Sequence, residues 1–390
     1  MRIKSIEFSG YKSFSGDGEG SASQTLKLAP LVLIFGKNNS GKSSTARLPR
    51  FLLGGIECSD GKVLPLDVRG LRYGAKFLDV VHGGAFYQKP FFRVQAECEG
   101  GPLDFSVKLY SEGVFSAEDA PLVWSYMMTT PKQINMPSPE NKVRFSGLLP
   151  PGNEWSDLRR AAGVVLDEMV HIGPIRSSIK PSYSNLSFER IDFEGANVPQ
   201  LLRVDYRLAD VVGRWYAEYM EGWRLSLQRD SESFSVRLNR GGINANLAYG
   251  GEGLQQVLPV VAHQLWRQAS GSKYFLDVVE QPELHLHAAA QAPLADLFIN
   301  TANLGSGCTI VETNSEPLLL RVQRRVAEGL ISPEKVSMYY IQTNENGSEL
   351  LPIELHADGE VAWWPAGVFE EDFSEVAAIR RAQRERKIKE

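Results

Sequence analysis

An α/β fold built around a phosphate-binding loop is what this sequence predicts, and two stretches predict it. In the first, Leu31-Val-Leu-Ile-Phe35 is an apolar run that reads as a buried strand. Gly36 to Ser43 then follows the spacing G-x-x-x-x-G-K-S, and a helix start comes directly after. In the second, Lys273-Tyr-Phe-Leu-Asp-Val-Val279 is an apolar strand ending at Glu280-Gln-Pro-Glu283, where a carboxylate can hold the water shell of Mg²⁺ opposite Ser43. Either stretch alone could be an ordinary turn; the match between them makes a nucleotide site the stronger reading.

Taken in order, residues 1–35 read as strands, with Ile3 to Phe8 and Gln24 to Leu28 alternating as an edge hairpin that feeds the nucleotide strand. Tyr11 and Phe14 are either core aromatics or platforms for an adenine ring. Gly36 and Gly41 let the loop turn tightly and aim successive N–H groups inward, while the following helix adds the positive end of its dipole. The candidate phosphate-binding residues are therefore Gly36, Lys37, Asn38, Asn39, Ser40, Gly41, Lys42, Ser43 and Ser44. Lys42 reaches the outer phosphates, and the Ser43 hydroxyl takes one Mg²⁺ position. The helix from Ser44 to about Leu53 is expected to be interrupted at Pro49.

Phe91 to Glu97 and Leu103 to Tyr110 continue an antiparallel region, whereas about 111–155, rich in Pro, Ser, Asn and Gly, reads as a long surface insertion. Asp157 to Met169 has helical spacing, and the turn after it carries Arg176, either a salt-bridge partner or an Arg supplied to a phosphate. Val198 to about Trp223 looks helical and unusually aromatic, which favours a core or lobe interface over a partner surface. Leu225 to Leu238 alternates like a hairpin strand, and Val336 to Gln342 reads as a strand.

Between these, Leu247 to Pro259 sets glycines before an apolar-periodic helix whose N-terminus can bind phosphate, with Tyr249, Gly250, Gly251 and Glu252 as candidate contacts. Two phosphate-binding helix starts so far apart in sequence are hard to satisfy with one triphosphate in one subunit. A two-fold homodimer, each ATP pressed between one chain's loop and the other's glycine motif, satisfies both.

Composition narrows the function classes. Apolar residues make up 43% and charged residues 23%, ordinary globular usage, and no uncharged run is long enough for a membrane helix. The first residues alternate like a strand and lack a signal peptide's apolar core, so a soluble cytoplasmic protein is expected. Cys58, Cys98 and Cys308 have no metal-type spacing and fit reduced thiols. A net charge of −5 gives no general case for nucleic acid. The one strongly basic cluster, the tail Arg380 to Glu390 overlapping a helix expected over Glu375 to Lys389, is either a solvated helix end or a docking or nucleic-acid contact.

The order of loop, glycine motif, strand-end carboxylate and Val311-Glu-Thr-Asn-Ser315 resembles the ABC-type ATPase heads of the SMC/RecF/OLD group. The phrases Gly173-Pro-Ile-Arg176, Gln256-Val-Leu-Pro259, Val279-Glu-Gln-Pro-Glu-Leu-His-Leu-His287, Glu312-Thr-Asn-Ser-Glu316 and Trp364-Pro-Ala-Gly367 are similar to a prokaryotic branch of stand-alone AAA-type ATPases often encoded in anti-phage defence loci. The resemblance implies an ABC-type head with mixed sheets and an inserted helical lobe. It would be divided into 1–110, 111–245 and 246–390, with ATP and Mg²⁺ as cofactors.

Carried over position by position, the resemblance implies Mg²⁺ coordination by Ser43 and Glu280. The usual catalytic glutamate falls at Gln281, the switch histidine at Asn314, and the signature Ser-Gly-Gly at Tyr249-Gly250-Gly251. A glutamine can orient water but cannot take its proton, and Asn keeps a hydrogen bond without a charge. Glu283 is the nearest substitute base, or Asp277 if the strand register differs. All these departures touch the γ-phosphate, so slow hydrolysis by a nucleotide-held switch is one expectation and a rearranged but normal ATPase is the other. His285 and His287, with no third ligand evident, read as packing or dimer-bridging residues ahead of metal ligands. Neither clustered nuclease acids nor a Ser-His-Asp arrangement is evident, so a separate effector such as a nuclease or toxin is expected. A DNA-binding repair clamp is the competing class.

Overall fold

The computed structural model describes residues 1–16, 23–111, 121–130, 133–135, 145–150, 152–185, 191–271, 274–305 and 307–365. The basic helix expected from Glu375 and the end of the Trp364-Pro-Ala-Gly367 phrase lie outside these residues.

The first half of the chain supplies strands β1 (Arg2–Ser9), β2 (Gln24–Lys27) and β3 (Leu31–Gly36), then helix α1 (Lys42–Glu57). Short strands β4 (Asp67–Val68) and β5 (Leu71–Arg72) follow, and then β6 (Phe91–Cys98), β7 (Gly101–Tyr110), β8 (Leu122–Thr130) and β9 (Gln133–Asn135). Next come α2 (Ser156–Glu168), β10 (His171–Ile172), β11 (Tyr183–Ser184), α3 (Val198–Val204) and α4 (Tyr206–Tyr219). The small strands β12 (Arg224–Arg229), β13 (Ser233–Arg240) and β14 (Ile243–Asn246) lead to α5 (Glu252–Gln256) and α6 (Leu258–Ser270). The last part holds β15 (Leu276–Glu280), α7 (Ala288–Asn303), β16 (Cys308–Glu312), α8 (Glu316–Ala327), β17 (Val336–Asn344) and β18 (Gly347–Ile353).

These elements form two large sheets. One is antiparallel, in the order β2-β1-β6-β7-β8-β9; the other runs β10-β15-β16-β3-β17-β18 and is parallel except for the edge pair β17–β18. The second has both faces covered, as buried parallel strands require. On β3, Val32 and Ile34 join the core that includes α1 and the antiparallel sheet, while Leu31, Leu33 and Phe35 join the core that includes α6, α7 and α8. An unbroken apolar run is thus the pattern of a strand with no solvent face.

Several expectations shift here. The N-terminal hairpin pairs as β1 and β2, but in the antiparallel sheet and not beside β3. Helix α1 runs through Pro49 without a break, because its apolar face, including Leu48, Phe51, Leu52 and Leu53, is buried and packing outweighs one lost backbone hydrogen bond. Leu122–Thr130, within the stretch read as a surface insertion, is a strand that extends the antiparallel sheet through β7. The aromatic helix is divided at Asp205, whose backbone leaves the helical region and whose side chain caps α4 by accepting from the Leu208 N–H. A four-stranded antiparallel sheet of β11, β13, β12 and β14 accompanies α3 and α4, so residues 111–245 are not wholly helical.

Candidate nucleotide-binding site

Three parallel strands end side by side at one edge of the central sheet. Glu280 pairs in register with Glu312, and Glu312 pairs with Ile34, two residues before the loop begins. Because β16 lies between β15 and β3, Glu312 stands nearer the loop than Glu280 does. This C-terminal edge is where open α/β sheets bind ligands.

The loop itself has the backbone that phosphate binding requires. Gly36 has φ 151°, Asn39 φ 64° and Gly41 φ 103°. A Cβ on Gly36 would lie 2.6 Å from the Ile341 carbonyl oxygen, and one on Gly41 would lie 2.3 Å from Ser13 Oγ, so neither position admits a side chain without displacement. Lys37, Asn38 and Asn39 face solvent, whereas Ser40 is buried with its hydroxyl unbonded among the described residues. Lys42 Nζ folds back across the loop, donating to the carbonyls of Gly36 at 2.8 Å and Lys37 at 2.9 Å. Burial pulls its pKa down, while Glu312 and Glu283 pull the other way. A chelated, partly desolvated ammonium at a loop mouth is ready to exchange carbonyls for phosphate oxygens.

The carboxylates divide into two kinds. Glu280 is fully buried with both oxygens engaged: Arg47 donates through Nε and Nη2 at 2.6 Å each, and His171 Nε2 lies 2.7 Å from Oε1. Burial alone would raise the Glu280 pKa, but His171 and Arg47 hold it below the usual range; burial likewise keeps the His171 imidazole low. Glu312, only 3% exposed, accepts from the Ser43 hydroxyl at 3.0 Å through Oε1, and its Oε2 has no hydrogen-bond partner among the described residues. Burial and the neighbouring Glu280 charge push its pKa up to about 7.

Around them, the Gln281 N–H donates to the Glu312 carbonyl at 2.7 Å, with Gln281 at φ 45°, an unfavourable conformation for a non-glycine residue. Glu283 Oε1 accepts from the Asn314 N–H at 2.6 Å, and burial raises the Glu283 pKa. The Asn314 side chain is exposed. Arg176 is buried and clamps the carbonyls of Gln256, Glu280 and Gln281, and among the described residues it forms no salt bridge; burial brings its pKa down to about 10.

The structure thus brings Gly36 to Ser44 together with Glu280 and Glu312, and links Gln281, Glu283 and Asn314 to the same edge. Tyr249, Gly250, Gly251 and Glu252 stand apart, with no hydrogen bond to the loop among the described residues. The helix they open, α5, is five residues long and passes through Val257, whose backbone is helical, into α6. Tyr249 is 79% exposed, and Gly253 packs so closely on the His285 carbonyl that a Cβ would lie 2.4 Å from it. His285 sits 3.5 Å from Glu252, and no cluster of three or more His, Cys, Asp or Glu residues suited to a metal occurs among the described residues.

Asp277 drops out as a base: it is fully buried and bound by His263 and by two guanidinium nitrogens of Arg267. Tyr11 and Phe14 are fully buried in an aromatic cluster with Phe8, Phe51 and Phe92, which excludes adenine stacking on either. Sequence reasoning missed Arg47, His171 and the role of Glu312. Arg47 carries a signal, since it lies one helical turn after Ser43. His171 carries none that spacing reveals.

The residues present fit a nucleotide and a divalent cation. The loop would clash with any Cβ at its two glycines, and a buried carboxylate oxygen without a donor lies next to the Ser43 hydroxyl. Among the described residues no helix is long and apolar enough to cross a membrane.

A family described as "Protein of unknown function (DUF3696)" matches residues 331–379. Among curated proteins nothing matches. Among solved structures, an SMC head bound to the C-winged helix domain of ScpA is similar with a TM-score of 0.57 at 15% identity, over 91% of this chain and 99% of that one. The SMC head domain from Thermotoga maritima aligns with a TM-score of 0.48 at 13% identity, over 91% of this chain and 100% of that one. The Pyrococcus furiosus SMC head with an extended coiled coil, bound to the C-terminal domain of ScpA, aligns at 0.49 and 12% identity, over 97% and 99%. Loop placement, strand order and the likeness to the first of these structures give the chain the mixed α/β fold of an SMC head domain.

Proposed function

We propose that the chain is an SMC-like ATPase that uses ATP to hold a closed homodimer, as the sensor or switch subunit of an anti-phage defence system whose effector is a separate protein. The observation that carries this reading is the loop from Gly36 to Ser44, set at the end of β3 with Lys42 and Ser43 opening α1 beside the carboxylates of β15 and β16.

In this reading the loop N–H groups and Lys42 bind the β- and γ-phosphates. Mg²⁺, held in part by Ser43, supplies charge neutralisation when bound. Gln281 orients the attacking water, Glu283 is the carboxylate available to take its proton, and Asn314 offers the γ-phosphate a hydrogen bond without charge. Tyr249, Gly251 and Glu252, exposed, and Gly250, half-buried, lie apart from their own loop and close on the partner's nucleotide. The weak base set supports slow turnover, the property of a switch.

Steady-state ATP hydrolysis with Mg²⁺, with Lys42→Ala as the blank, tests the reading. The intact chain is expected to bind ATP and turn it over slowly, and the variant to lose about 10²-fold or more in turnover. Absence of nucleotide binding by the intact chain would overturn the proposal. Co-purification with a nuclease or toxin supports the defence role; ATP-dependent, salt-sensitive binding of duplex DNA would replace it with a repair clamp.

A further inference from the structure

We infer that Glu312 is the protein carboxylate that joins Ser43 in holding the divalent cation of the bound nucleotide, and that Glu280 is a positioning residue. The inference rests on the ATPase reading above and assigns the metal side of that site.

Topology makes the first argument. Strand β16 separates β15 from β3, so the carboxylate adjacent to the loop is the one that ends β16. Ser43 already donates to it at 3.0 Å.

The partners already present make the second. Glu280 Oε1 receives Arg47 and lies against His171, and Oε2 receives Arg47 again, so both of its oxygens are engaged and its charge is matched by a guanidinium. Glu312 is as deeply placed, yet its Oε2 is buried without a partner. Leaving a carboxylate oxygen buried without a donor is costly, and placing two carboxylates side by side on adjacent strands adds repulsion. A divalent cation bound by one carboxylate, one hydroxyl and phosphate oxygens relieves both, and that is the ligand set Mg²⁺ favours. Arg47 and His171 then hold Glu280 in place behind Glu312, fixing the end of β15 and the Gln281 turn whose N–H donates to the Glu312 carbonyl.

The test follows binding of a fluorescent ATP analogue as Mg²⁺ is titrated, for the intact chain, Glu312→Gln, Glu312→Asp and Glu280→Gln, each checked for folding by circular dichroism. Glu312→Gln is expected to raise the Mg²⁺ concentration for half-maximal tightening by about tenfold or more. Binding in EDTA should hold or improve. Glu312→Asp, which keeps the charge, should fall between and carries the test should the glutamine variant not fold. Mg²⁺-tightened binding that both Glu312 variants leave unchanged, or a shift confined to Glu280→Gln, would overturn this inference while leaving the ATPase reading intact. Failure of the intact chain to bind nucleotide would overturn both.

Discussion

At the scale of single residues, the candidate site is a contest between buried charges and their partners. Glu280 is matched by Arg47 and His171, whereas Glu312 has one hydroxyl donor and a pKa pushed up to about 7. A carboxyl whose pKa rises from 4.5 to about 7 on folding binds its proton more tightly in the native state. Its contribution to stability is therefore complete below about pH 4.5 and lost as pH rises through about 7. Glu283 acts in the same direction, His171 opposes below its ordinary 6.5, and Glu280 and Asp277, held low, act at more acid pH. We predict that, without nucleotide, Glu312→Gln gains stability on the intact chain between pH 5 and pH 8, by on the order of 3 kcal/mol at most. Urea midpoints at the two pH values check this. No difference between the proteins across the window would refute it.

Among secondary elements, a buried ion pair joins α6 to β15. Asp277 is fully buried and receives His263 and two nitrogens of Arg267, while Arg267 also donates to the Glu168 carbonyl at the end of α2. Removing one partner of such a pair strands a charge. Arg267→Met is expected to cost about 3–5 kcal/mol in urea unfolding, with nucleotide affinity per folded molecule unchanged. A loss under 1 kcal/mol would show that Asp277 finds another partner.

The same element shows where periodicity reads true and where it stops. The apolar runs of β3 and β15 were legible because both faces of each strand are buried, and the hairpin of β12 and β13 because one face is. Pro49 misled, since local propensity was outweighed by the core on α1. The strand Leu122–Thr130 was hidden because its residues are largely half-exposed and do not alternate cleanly.

For the whole molecule, the proposed function makes the loop and the Tyr249–Glu252 motif two half-sites on one chain, which a second copy would complete. A Cβ on Gly251 meets nothing within 4 Å, and its backbone is ordinary for any residue, so a side chain there leaves the monomer undisturbed. Gly251→Asp is expected to abolish the dimer formed with Mg²⁺ and a non-hydrolysable ATP analogue, by charge repulsion and bulk, while single-chain nucleotide binding stays within about twofold. Sedimentation velocity and fluorescence titration read the two effects separately. Dimerisation that survives the substitution would place the interface elsewhere.

The sequence by itself determined the glycine-rich loop, because Gly36, Gly41, Lys42 and Ser43 act through local backbone geometry that neighbouring residues specify. It also determined the two buried strands β3 and β15, for the same local reason. Which carboxylate meets Ser43 was decided only by tertiary structure. Strand order is a long-range property: β16 is inserted between β15 and β3, so Glu312 takes the place beside the loop, and Arg47 and His171, from α1 and β10, occupy Glu280. No periodicity along the chain records that arrangement, because it arises from pairing between strands hundreds of residues apart.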